Sequence, residues 1–574
     1  MHDLVIRNAA LIDGTGGPER MADIAIDGST ITEVTEAGGA GSAHRDIDAE
    51  GLLTTPGWVD VHTHYDGQAT WDPVMAPSSV HGVTTAVMGN CGVGFAPVRP
   101  DGKDFLIELM EGVEDIPGTA LHEGMQWEWE SFGEYLAALA TMHRTMDLGT
   151  QVPHTAVRAY VLGDRAHEDD LTVDEHQQLA EVVADGVRSG ALGFSTSRTI
   201  LHRSKHGYIP GTFARDDELG TIIDALASVG RGLFQYVSDE AARTNDAERH
   251  WLHDLSSKGV SVTYSLAQDP REPDGYQRAL NEAAAQSAVG ALITPQVPAR
   301  PTGLLFGLTG SFHPFTAHPT FRPMWDLDHD TLMARLHHPE VRAALLAEEP
   351  RTRNQASATL ATNWSQMYRL GDPPDYEPRP ETSAAAEAQR TGQHPQEVVL
   401  DWMLEDNGRA MLFSPLGSYV DHDHEAIRHM ISHPASVAGL SDGGAHCGLI
   451  CDASFPTYLL THWTRDRRRG ELLPRELMVH KQTQATARAF GLQDRGVVAP
   501  GMLADINLID MDQLHLHAPH MVNDLPANGR RLLQDVDGYR WTVKAGEVTF
   551  VDGEDTGARP GRTLHATDQG VVRV

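Results

Sequence analysis

The sequence has little cysteine and little lysine, and acidic residues greatly outnumber basic ones. Its 574 residues include 3 cysteines, and an odd, sparse set of this kind does not form a disulfide framework. The 45 basic and 80 acidic side chains give a formal net charge of -35. Nucleic acids and anionic membranes bind basic surfaces, so neither is expected as a partner of this chain.

The sequence also lacks long apolar runs. No stretch approaches the ~18 consecutive apolar residues that indicate a membrane span. The chain opens Met1-His2-Asp3-Leu4, without the basic region and apolar run of a secretion signal. These features and the scarce cysteines predict a protein of the reducing cytoplasm.

Both ends of the chain show short strand-like segments separated by Gly and Asp turns. Strands are predicted over residues 4–13, 23–27 and 31–34, and again over 505–510, 541–544 and 547–551. We therefore expect residues 1–52 and 495–552 to form one small β-sandwich domain. Residues 553–574 are polar and glycine-rich, and we expect a mobile or partner-wrapping C-terminal extension there.

The middle of the chain alternates strands with helices. Strands are predicted over residues 83–88, 191–195, 232–237 and 260–264, and helices over 173–189, 216–228 and 242–258. Repeated units of this kind form a parallel sheet, either open or closed. Residues 53–494 exceed the ~250 residues of a typical (β/α)8 barrel, so an insertion is expected at about 269–396.

The richest motif is Val59-Asp60-Val61-His62-Thr63-His64, followed later by Gly89-Asn90-Cys91-Gly92. His62 and His64 point to the same side of a strand because strand side chains alternate. Two imidazoles and a nearby thiolate can hold a divalent metal. A His-x-His pair alone is weak evidence, since an exposed strand end gives the same pattern. Metal ligands at the C-terminal ends of strands favour the (β/α)8 barrel over an open sheet.

Several motifs together resemble the amidohydrolase superfamily, and within it the N-acyl-D-amino-acid deacylase (D-aminoacylase) branch. The motifs are Pro56-Gly57 before His62-Thr63-His64, His81-Gly82-Val83-Thr84-Thr85, Gly89-Asn90-Cys91-Gly92, Gly190-Ala191-Leu192-Gly193-Phe194-Ser195-Thr196 and Ser441-Asp442-Gly443. The likeness runs from about residue 4 to 510 and weakens across the expected insertion. It implies a metal-dependent hydrolase of carbon–nitrogen bonds in non-peptide amides, built on a TIM-like (β/α)8 barrel.

The resemblance also implies a set of zinc ligands. These are His62, His64, Cys91 and Asp442, with the thiolate in the bridging place that a carboxylated lysine fills in related enzymes. Asp442 would also be the general base for metal-activated water that attacks the acyl carbon. The family's two further metal histidines correspond to Tyr236 and Leu266 here, so one or two zinc ions per chain are implied.

Further residues match family positions beside the substrate. His154 is a second candidate catalytic residue, and the substrate-binding candidates are Tyr236, His202, Arg203, Lys205, Tyr208 and His446. The expected partner is a small-molecule amide, and a homo-oligomer is left open. Two alternatives remain, a hydrolase of cyclic or neutral amides on the same scaffold and a non-catalytic amidohydrolase-like scaffold.

Overall fold

The computed structural model describes residues 1–238, 252, 254–352 and 355–574. Its first strands follow one another closely: β1 (His2–Leu11), β2 (Arg20–Asp27), β3 (Thr30–Glu36), β4 (Ala43–Asp48) and β5 (Leu53–Pro56). The predicted strands at residues 4–13, 23–27 and 31–34 are thereby confirmed. Most of the predicted helix over 242–258 lies outside the described residues.

The strands of the middle of the chain are mostly short and buried. They are β6 (Trp58–Asp60), β7 (Val83–Met88), β8 (Asp147–Thr150), β9 (Val152–Pro153), β10 (Gly193–Ser197), β11 (Arg203–Ser204), β12 (Gly207–Tyr208), β13 (Leu233–Val237), β14 (Ser261–Ser265), β15 (Ile293–Val297), β16 (Gly303–Phe306), β17 (Tyr368–Arg369), β18 (Leu412–Pro415) and β19 (Val437–Ala438).

The last part of the chain is again rich in strands. They are β20 (Ile506–Ile509), β21 (His515–Leu516), β22 (His520–Leu525), β23 (Gly529–Leu533), β24 (Val536–Asp537), β25 (Tyr539–Lys544), β26 (Glu547–Val551), β27 (Glu554–Asp555), β28 (Leu564–Thr567) and β29 (Gly570–Arg573).

The α-helices lie mainly between the strands of the middle. They are α1 (Lys103–Glu114), α2 (Gly118–Gly124), α3 (Phe132–Ala140), α4 (His154–Leu162), α5 (Val173–Ser189), α6 (Asp216–Val229), α7 (Gly275–Ser287), α8 (His329–Leu336), α9 (Pro339–Ala347), α10 (Gln355–Thr362), α11 (Ala384–Thr391), α12 (Pro395–Gly408), α13 (Glu425–Ser432), α14 (Phe455–Thr461), α15 (Arg475–Gln482) and α16 (Gln484–Ala489). The predicted helix at 173–189 coincides with α5, which begins at the capping box of Thr172 and Glu175.

Strands from both ends of the chain share one sheet. Its order is β27-β26-β25-β20-β5-β1-β2-β3, with β4 paired to β1. The joint is made by β20, which runs antiparallel to β5, while β5 runs parallel to β1. Apolar side chains from both ends, including Ile6, Ile24, Leu508 and Val543, are fully buried together beneath this sheet.

The buried strands of the middle pair in parallel. One sheet has the order β6-β7-β8, and the other has β19-β15-β14-β13-β10-β9. Only Gln151 separates β8 from β9 in the chain, and a parallel bridge joins Thr63 to Gly443. The segments that follow β6 and β19 are therefore neighbours at the C-terminal ends of the strands.

Residues 303–415 form an inserted unit with its own core. Its antiparallel sheet, β16-β18-β17, packs against α8 and α12 through buried side chains such as Phe306, Leu336, Trp402 and Leu412. The insertion expected at 269–396 overlaps this unit. Its first part differs, because β15 continues the parallel sheet beside β14. The proline and acidic residues near Asp269 are typical of the start of an insertion. The alternation of strands and helices nevertheless continues beyond them.

The C-terminal extension packs on the rest of the chain. Strands β28 and β29 form a hairpin whose Leu564 side chain is fully buried with Val59, Val61 and Val87. Leu148 of β8 also bridges to Thr563 in parallel. The tail therefore contributes to the core beneath the parallel strands. Within the described part of the chain, no helix combines the length and apolar character needed to cross a membrane.

Asp147 at the start of β8 is a buried centre of charge pairing. Its Oδ2 atom lies 2.7 Å from Arg495 Nη1, 2.8 Å from Lys544 Nζ and 2.9 Å from Arg573 Nε. Its Oδ1 accepts a hydrogen bond from the backbone N–H of Arg562 at 2.7 Å. Burial alone would raise the pKa of Asp147, but Lys544, Arg495 and Arg573 hold it below its ordinary value. One carboxylate thus connects the parallel strands, the terminal sheet and the tail.

Replacing Asp147 with asparagine is expected to lower the free energy of unfolding by about 3–5 kcal/mol, because buried cations lose their counter-charge. The folded-state pKa of Asp147 is depressed, so its stabilisation is present above about pH 4 and is lost as the pH falls toward the folded-state value. Urea unfolding of the wild type and of the Asp147→Asn variant at neutral and acidic pH measures the difference between their free energies of unfolding. This difference should become smaller in acid.

Asp185→Asn is the matched control, since Asp185 pairs with Arg188 on an exposed helix face. Surface pairs contribute at most about 1 kcal/mol. Equal effects of the two substitutions would contradict the role assigned to Asp147.

Candidate metal centre

Four side chains converge at the C-terminal ends of the parallel strands. His62 and His64 follow β6, Cys91 follows β7, and Asp442 follows β19. Strand alternation places both imidazoles on one side, and their ring centroids lie 5.6 Å apart. The two histidines and the cysteine are buried, while 18% of the Asp442 side chain is exposed. The centre is therefore shielded by protein and open on the Asp442 side.

The donor atoms have the spacing of metal ligands. His62 Nε2 lies 3.2 Å from Cys91 Sγ and 3.4 Å from Asp442 Oδ1, and His64 Nε2 lies 3.7 Å from the same oxygen. Zinc bonds of about 2.0–2.3 Å in tetrahedral geometry place neighbouring ligand atoms about 3.3–3.8 Å apart. Two imidazole nitrogens, a thiolate and a carboxylate oxygen also suit zinc chemically. His62, His64 and Cys91 form a group whose ligand atoms lie within 4.8 Å of one another and fit a zinc ion, and Asp442 lies beside both imidazoles as a further candidate ligand.

The backbone is strained where it delivers two of these ligands. Cys91 has φ 57° and Asp442 has φ 48°, values in the left-handed region that side-chain-bearing residues rarely adopt. Such strain persists only where the surroundings fix the conformation, and it is common at functional sites. Here Cys91 N–H donates to Gln235 Oε1 at 3.1 Å, and Asp442 N–H donates to the carbonyl of His62 at 3.1 Å.

A second layer of side chains orients the two histidines. His62 Nδ1 lies 2.7 Å from Gln296 Oε1, which accepts its proton and leaves Nε2 free to face the centre. His64 Nδ1 lies 3.5 Å from Glu114 Oε1, a contact of opposite charges rather than a hydrogen bond. Gln296 is held in turn by Thr263, whose hydroxyl accepts from the Gln296 amide at 3.0 Å. Both imidazoles therefore present Nε2 to the same point.

Asp60 supports the same segment from below. Its carboxylate accepts hydrogen bonds from the Ser441 hydroxyl at 2.5 Å and from the His62 N–H at 3.2 Å. Burial raises the pKa of Asp60 to about 7, although the Ser441 hydrogen bond opposes the shift. Ser441 also donates to the carbonyl of His62 at 3.1 Å, so these bonds fix the segments after β6 and β19 to each other.

The protonation of the centre follows from burial and mutual charge. Burial disfavours the charged form of His64, but Glu114, Asp442 and Cys91 raise its pKa well above the ordinary value. Burial raises the pKa of the Cys91 thiol to about 12. Burial would also raise the pKa of Asp442, yet His64, His62 and His446 hold it below its usual range. Because metal ligands must be deprotonated, a metal bound here displaces protons from His64 and Cys91.

Two further predicted residues lie beside the centre. His446 Nε2 is 3.5 Å from Glu114 Oε2 and 4.0 Å from Asp442 Oδ2. His202 is held by a 2.9 Å hydrogen bond to Ser197 Oγ. Burial, together with the charges of His64 and His446, lowers the pKa of His202 to about 3. The His202 ring is therefore neutral near pH 7 and can form hydrogen bonds beside Asp442.

The other residues of the predicted loop lie on a hairpin over α1. Arg203 and Tyr208 face each other across β11 and β12, with the guanidinium carbon 4.1 Å from the phenol ring centroid. Lys205 Nζ pairs with Glu108 Oε1 at 2.5 Å. Glu108 and Glu114 both belong to α1, so this helix connects the hairpin with His64.

His154 and Tyr236 occupy a different layer. His154 Nδ1 lies 2.8 Å from Thr196 Oγ1, and its Nε2 lies 2.8 Å from Glu218 on α6. The Tyr236 ring is buried and lies 5.3 Å from the ring of Tyr264. The hydrogen-bond partners of His154 are thus Thr196 and Glu218 rather than any of the four converging side chains. Alternation along β13 instead turns Gln235 toward Cys91.

The orienting residues were not anticipated from the sequence, although two of them leave a signal. Asp60 precedes His62 by two residues and therefore shares its face of the strand. Gln296 is a polar residue within the apolar segment Ile293–Val297, where a buried amide requires a partner. Glu114 ends α1 and leaves no comparable signal, because its contact with His64 depends on tertiary packing.

The chain was also compared with known proteins. Residues 45–550 match the model of the amidohydrolase family. The chain belongs to the amidohydrolase family. This confirms the resemblance drawn from its motifs and the prediction of a metal-dependent hydrolase acting on carbon–nitrogen bonds other than peptide bonds.

Relatives and solved structures agree with this membership. An N-acyl-D-aspartate deacylase of Alcaligenes xylosoxydans xylosoxydans is 27% identical and aligns over 99% of this chain and 95% of its own length. A structure of D-aminoacylase with a binuclear metal centre superposes with a TM-score of 0.65 at 22% identity, covering 98% of this chain and 100% of that one. A zinc- and phosphonate-bound N-acyl-D-glutamate deacylase of Bordetella bronchiseptica gives 0.64 at 21% identity with the same coverage. These structural matches show a shared fold.

Gln296→Leu is expected to weaken metal affinity by about 10–100-fold, because the His62 imidazole loses the acceptor that fixes its tautomer and orientation. Competition titration with a chromogenic zinc chelator measures this change. Gln296→Glu retains an acceptor oxygen and should bind zinc more tightly than the leucine variant. Equal affinity of the wild type and both variants would contradict the orienting role.

Proposed function

We propose that this amidohydrolase is a metal-dependent deacylase of N-acyl-D-amino acids, with one zinc ion held by His62, His64, Cys91 and Asp442. The observation that carries the proposal is the group of His62, His64 and Cys91, whose ligand atoms lie within 4.8 Å of one another, with Asp442 Oδ1 3.4 Å from His62 Nε2 and 3.7 Å from His64 Nε2. The deacylase relatives, which align over nearly the whole chain, support the substrate class.

We further propose that the parallel strands close into a (β/α)8 barrel, flanked by a β-sandwich of residues 1–52 and 495–552. The barrel strands would be β6, β7, β8 continued by β9, β10, β13, β14, β15 and β19. The bridge between Thr63 and Gly443 supports closure, since it joins the segments that follow the first and last of these strands. The clustering of site residues at the C-terminal strand ends is typical of such barrels.

The residues present favour one metal ion at this centre. Leu266, at one of the family's histidine positions, is apolar, and only 2% of its surface is exposed. Tyr236, at the other, packs against Tyr264. Neither position offers an imidazole, so the ligands of a second ion at this centre are missing from both.

Asp442 is the proposed general base. Its pKa is held below the ordinary range, so it is ionised near pH 7, and its side chain is the partly exposed member of the ligand set. A bound divalent metal supplies Lewis-acid activation at this site. The Asp442 carboxylate accepts a proton from the attacking water and passes it to the leaving amide nitrogen. His446 Nε2 lies 4.0 Å from Asp442 Oδ2, and His446 and His202 are the proposed substrate contacts at this site.

Hydrolysis of a substrate panel tests the proposed activity. The zinc-loaded enzyme is expected to release free amino acid from N-acetyl-D-amino acids, including acidic and apolar members, and to be inactive on the L-enantiomers. Release of amine is followed by a fluorogenic amine reagent. Activity confined to hydantoins or neutral amides would contradict the proposed substrate class and support a hydrolase of cyclic or neutral amides. A protein that holds no metal and gains no activity with zinc would contradict the enzymatic role.

Asp442→Asn is expected to lower kcat by about 10²–10⁴-fold, the usual contribution of a general base. Metal content, measured beside kcat, shows whether the remaining three ligands still hold the ion. Asp537→Asn is the control, since Asp537 pairs with His517 on an exposed part of the chain. Retention of most of the turnover by a metal-loaded Asp442→Asn enzyme would remove Asp442 as the base.

A further inference from the structure

A second group of potential metal ligands lies where the inserted unit meets the helices of the main body. We name the group of Glu377, His424 and His462 the Glu377 cluster. Glu377 belongs to the inserted unit, His424 directly precedes α13, and His462 begins a π-helical turn over His462–Asp466. One ligand atom from each residue lies within 4.8 Å of the others. We propose that the Glu377 cluster is a second metal site, which takes a divalent transition metal such as Zn²⁺.

The distances within the cluster suit a single ion. His424 Nδ1 lies 3.2 Å from His462 Nε2, His462 Nε2 lies 3.5 Å from Glu377 Oε2, and His424 Nδ1 lies 4.0 Å from the same oxygen. Ligand atoms about 2.0–2.2 Å from a tetrahedral zinc ion are separated by about 3.3–3.6 Å. A small adjustment of His424 relative to Glu377 brings all three separations into this range.

Hydrogen bonds already select the form of His424 that binds metal. Its Nε2 lies 2.9 Å from the carbonyl oxygen of Tyr376, which can only accept a proton, so Nδ1 of the neutral ring presents a lone pair. The Glu377 carboxylate is fixed by the His424 N–H at 2.8 Å and by Arg467 at 3.1 and 3.3 Å. Outer partners of this kind are typical of histidine and carboxylate metal ligands.

The hydrogen-bond position of His462 is shared between two partners. The Nε2 atom of His462 faces two acceptors at once, His424 Nδ1 and Glu377 Oε2. One imidazole proton can make one good hydrogen bond, whereas a metal ion satisfies all three ligand atoms together. The three side chains are also well shielded, with exposures of 0% for His424, 4% for Glu377 and 14% for His462. Glu377 Oε2 also accepts a hydrogen bond from Arg467 Nε at 3.3 Å, so a bound metal would share this oxygen with the guanidinium.

The site has an open side. Glu377 and His462 line a cavity of about 660 Å³, together with Tyr458, whose ring stacks on His462 at 4.6 Å. Two histidines and one glutamate with a vacant fourth position form a known arrangement for zinc that exchanges its last ligand. Single π-helical turns are also frequent at functional sites. A water molecule or a small anion from the cavity would complete the coordination.

A metal in the Glu377 cluster would join three separate segments. It would tie the inserted unit to the start of α13 and to the turn after α14. None of its ligands is shared with the candidate metal centre of His62, His64, Cys91 and Asp442. Removing one site should therefore leave the other occupied. This independence makes the two sites separable by substitution.

Metal analysis of zinc-loaded, desalted protein tests the second site. The wild type is expected to hold one more zinc ion per chain than His462→Ala or His424→Ala, and zinc should raise the melting temperature of the wild type more than that of either variant. His429→Ala on α13 is the control, because His429 contacts Tyr276 outside the cluster, and it should match the wild type. Far-UV circular dichroism verifies that each variant is folded. If the buried His424→Ala variant does not fold, the test rests on His462→Ala, since His462 is partly exposed.

Cobalt substitution separates this proposal from the proposed catalytic function. A thiolate-to-cobalt absorption band reports Cys91 and should persist in His462→Ala but vanish in Cys91→Ser. Equal zinc content of the wild type and a folded His462→Ala would overturn the second site whatever the state of the first. A different outcome is that His462→Ala binds one zinc ion fewer than the wild type, while the cobalt-substituted wild type shows no thiolate band. This would support the second site and contradict the metal centre at Cys91.

Discussion

The candidate metal centre depends on backbone hydrogen bonds between the segment after β6 and the segment after β19. The carbonyl of His62 accepts from the Asp442 N–H at 3.1 Å, and the His64 N–H donates to the carbonyl of Gly443 at 2.8 Å. These bonds hold Asp442 in its left-handed conformation and place its carboxylate against both imidazoles. If these two segments lay apart, Asp442 would be separated from His62 and His64. The same contact between distant parts of the chain thus determines both the strand arrangement and the ligand set.

Much of this molecule can be predicted from local sequence. The helix at 173–189, the strand at 83–88 and the strand at 547–551 have the expected bounds, because each has clear periodicity and defined ends. The proposed ligands His62, His64 and Cys91 were named from the sequence, since His-x-His and the Cys91 motif are compact patterns, and the structure brings them together. Glu114 and Gln235 could not be identified in this way. Their contacts with His64 and Cys91 join residues 50 and 144 positions apart, and such pairs follow from packing alone.

The family resemblance rests on motifs at the proposed ligands and on register alone at Tyr236. Tyr236 was expected at the substrate because a family histidine corresponds to it. In the structure the pleat of β13 turns Tyr236 toward Tyr264 and presents Gln235 to Cys91. A strand changes the face of a side chain with every residue, so a shift of one position exchanges an aromatic core residue for a polar residue of the site.

The charge cluster at Asp147 has a consequence for protein synthesis. Lys544, Arg562 and Arg573, which neutralise or bond to this carboxylate, lie in the last 31 residues of the 574. While the ribosome is still adding them, β8 carries a buried acid that lacks most of its partners. The parallel strands therefore reach their final packing only once residues 544–573 are available, although domains commonly fold in order from the N-terminus. The emerging chain must stay unaggregated until its tail arrives, and its many acidic residues favour solubility during that interval.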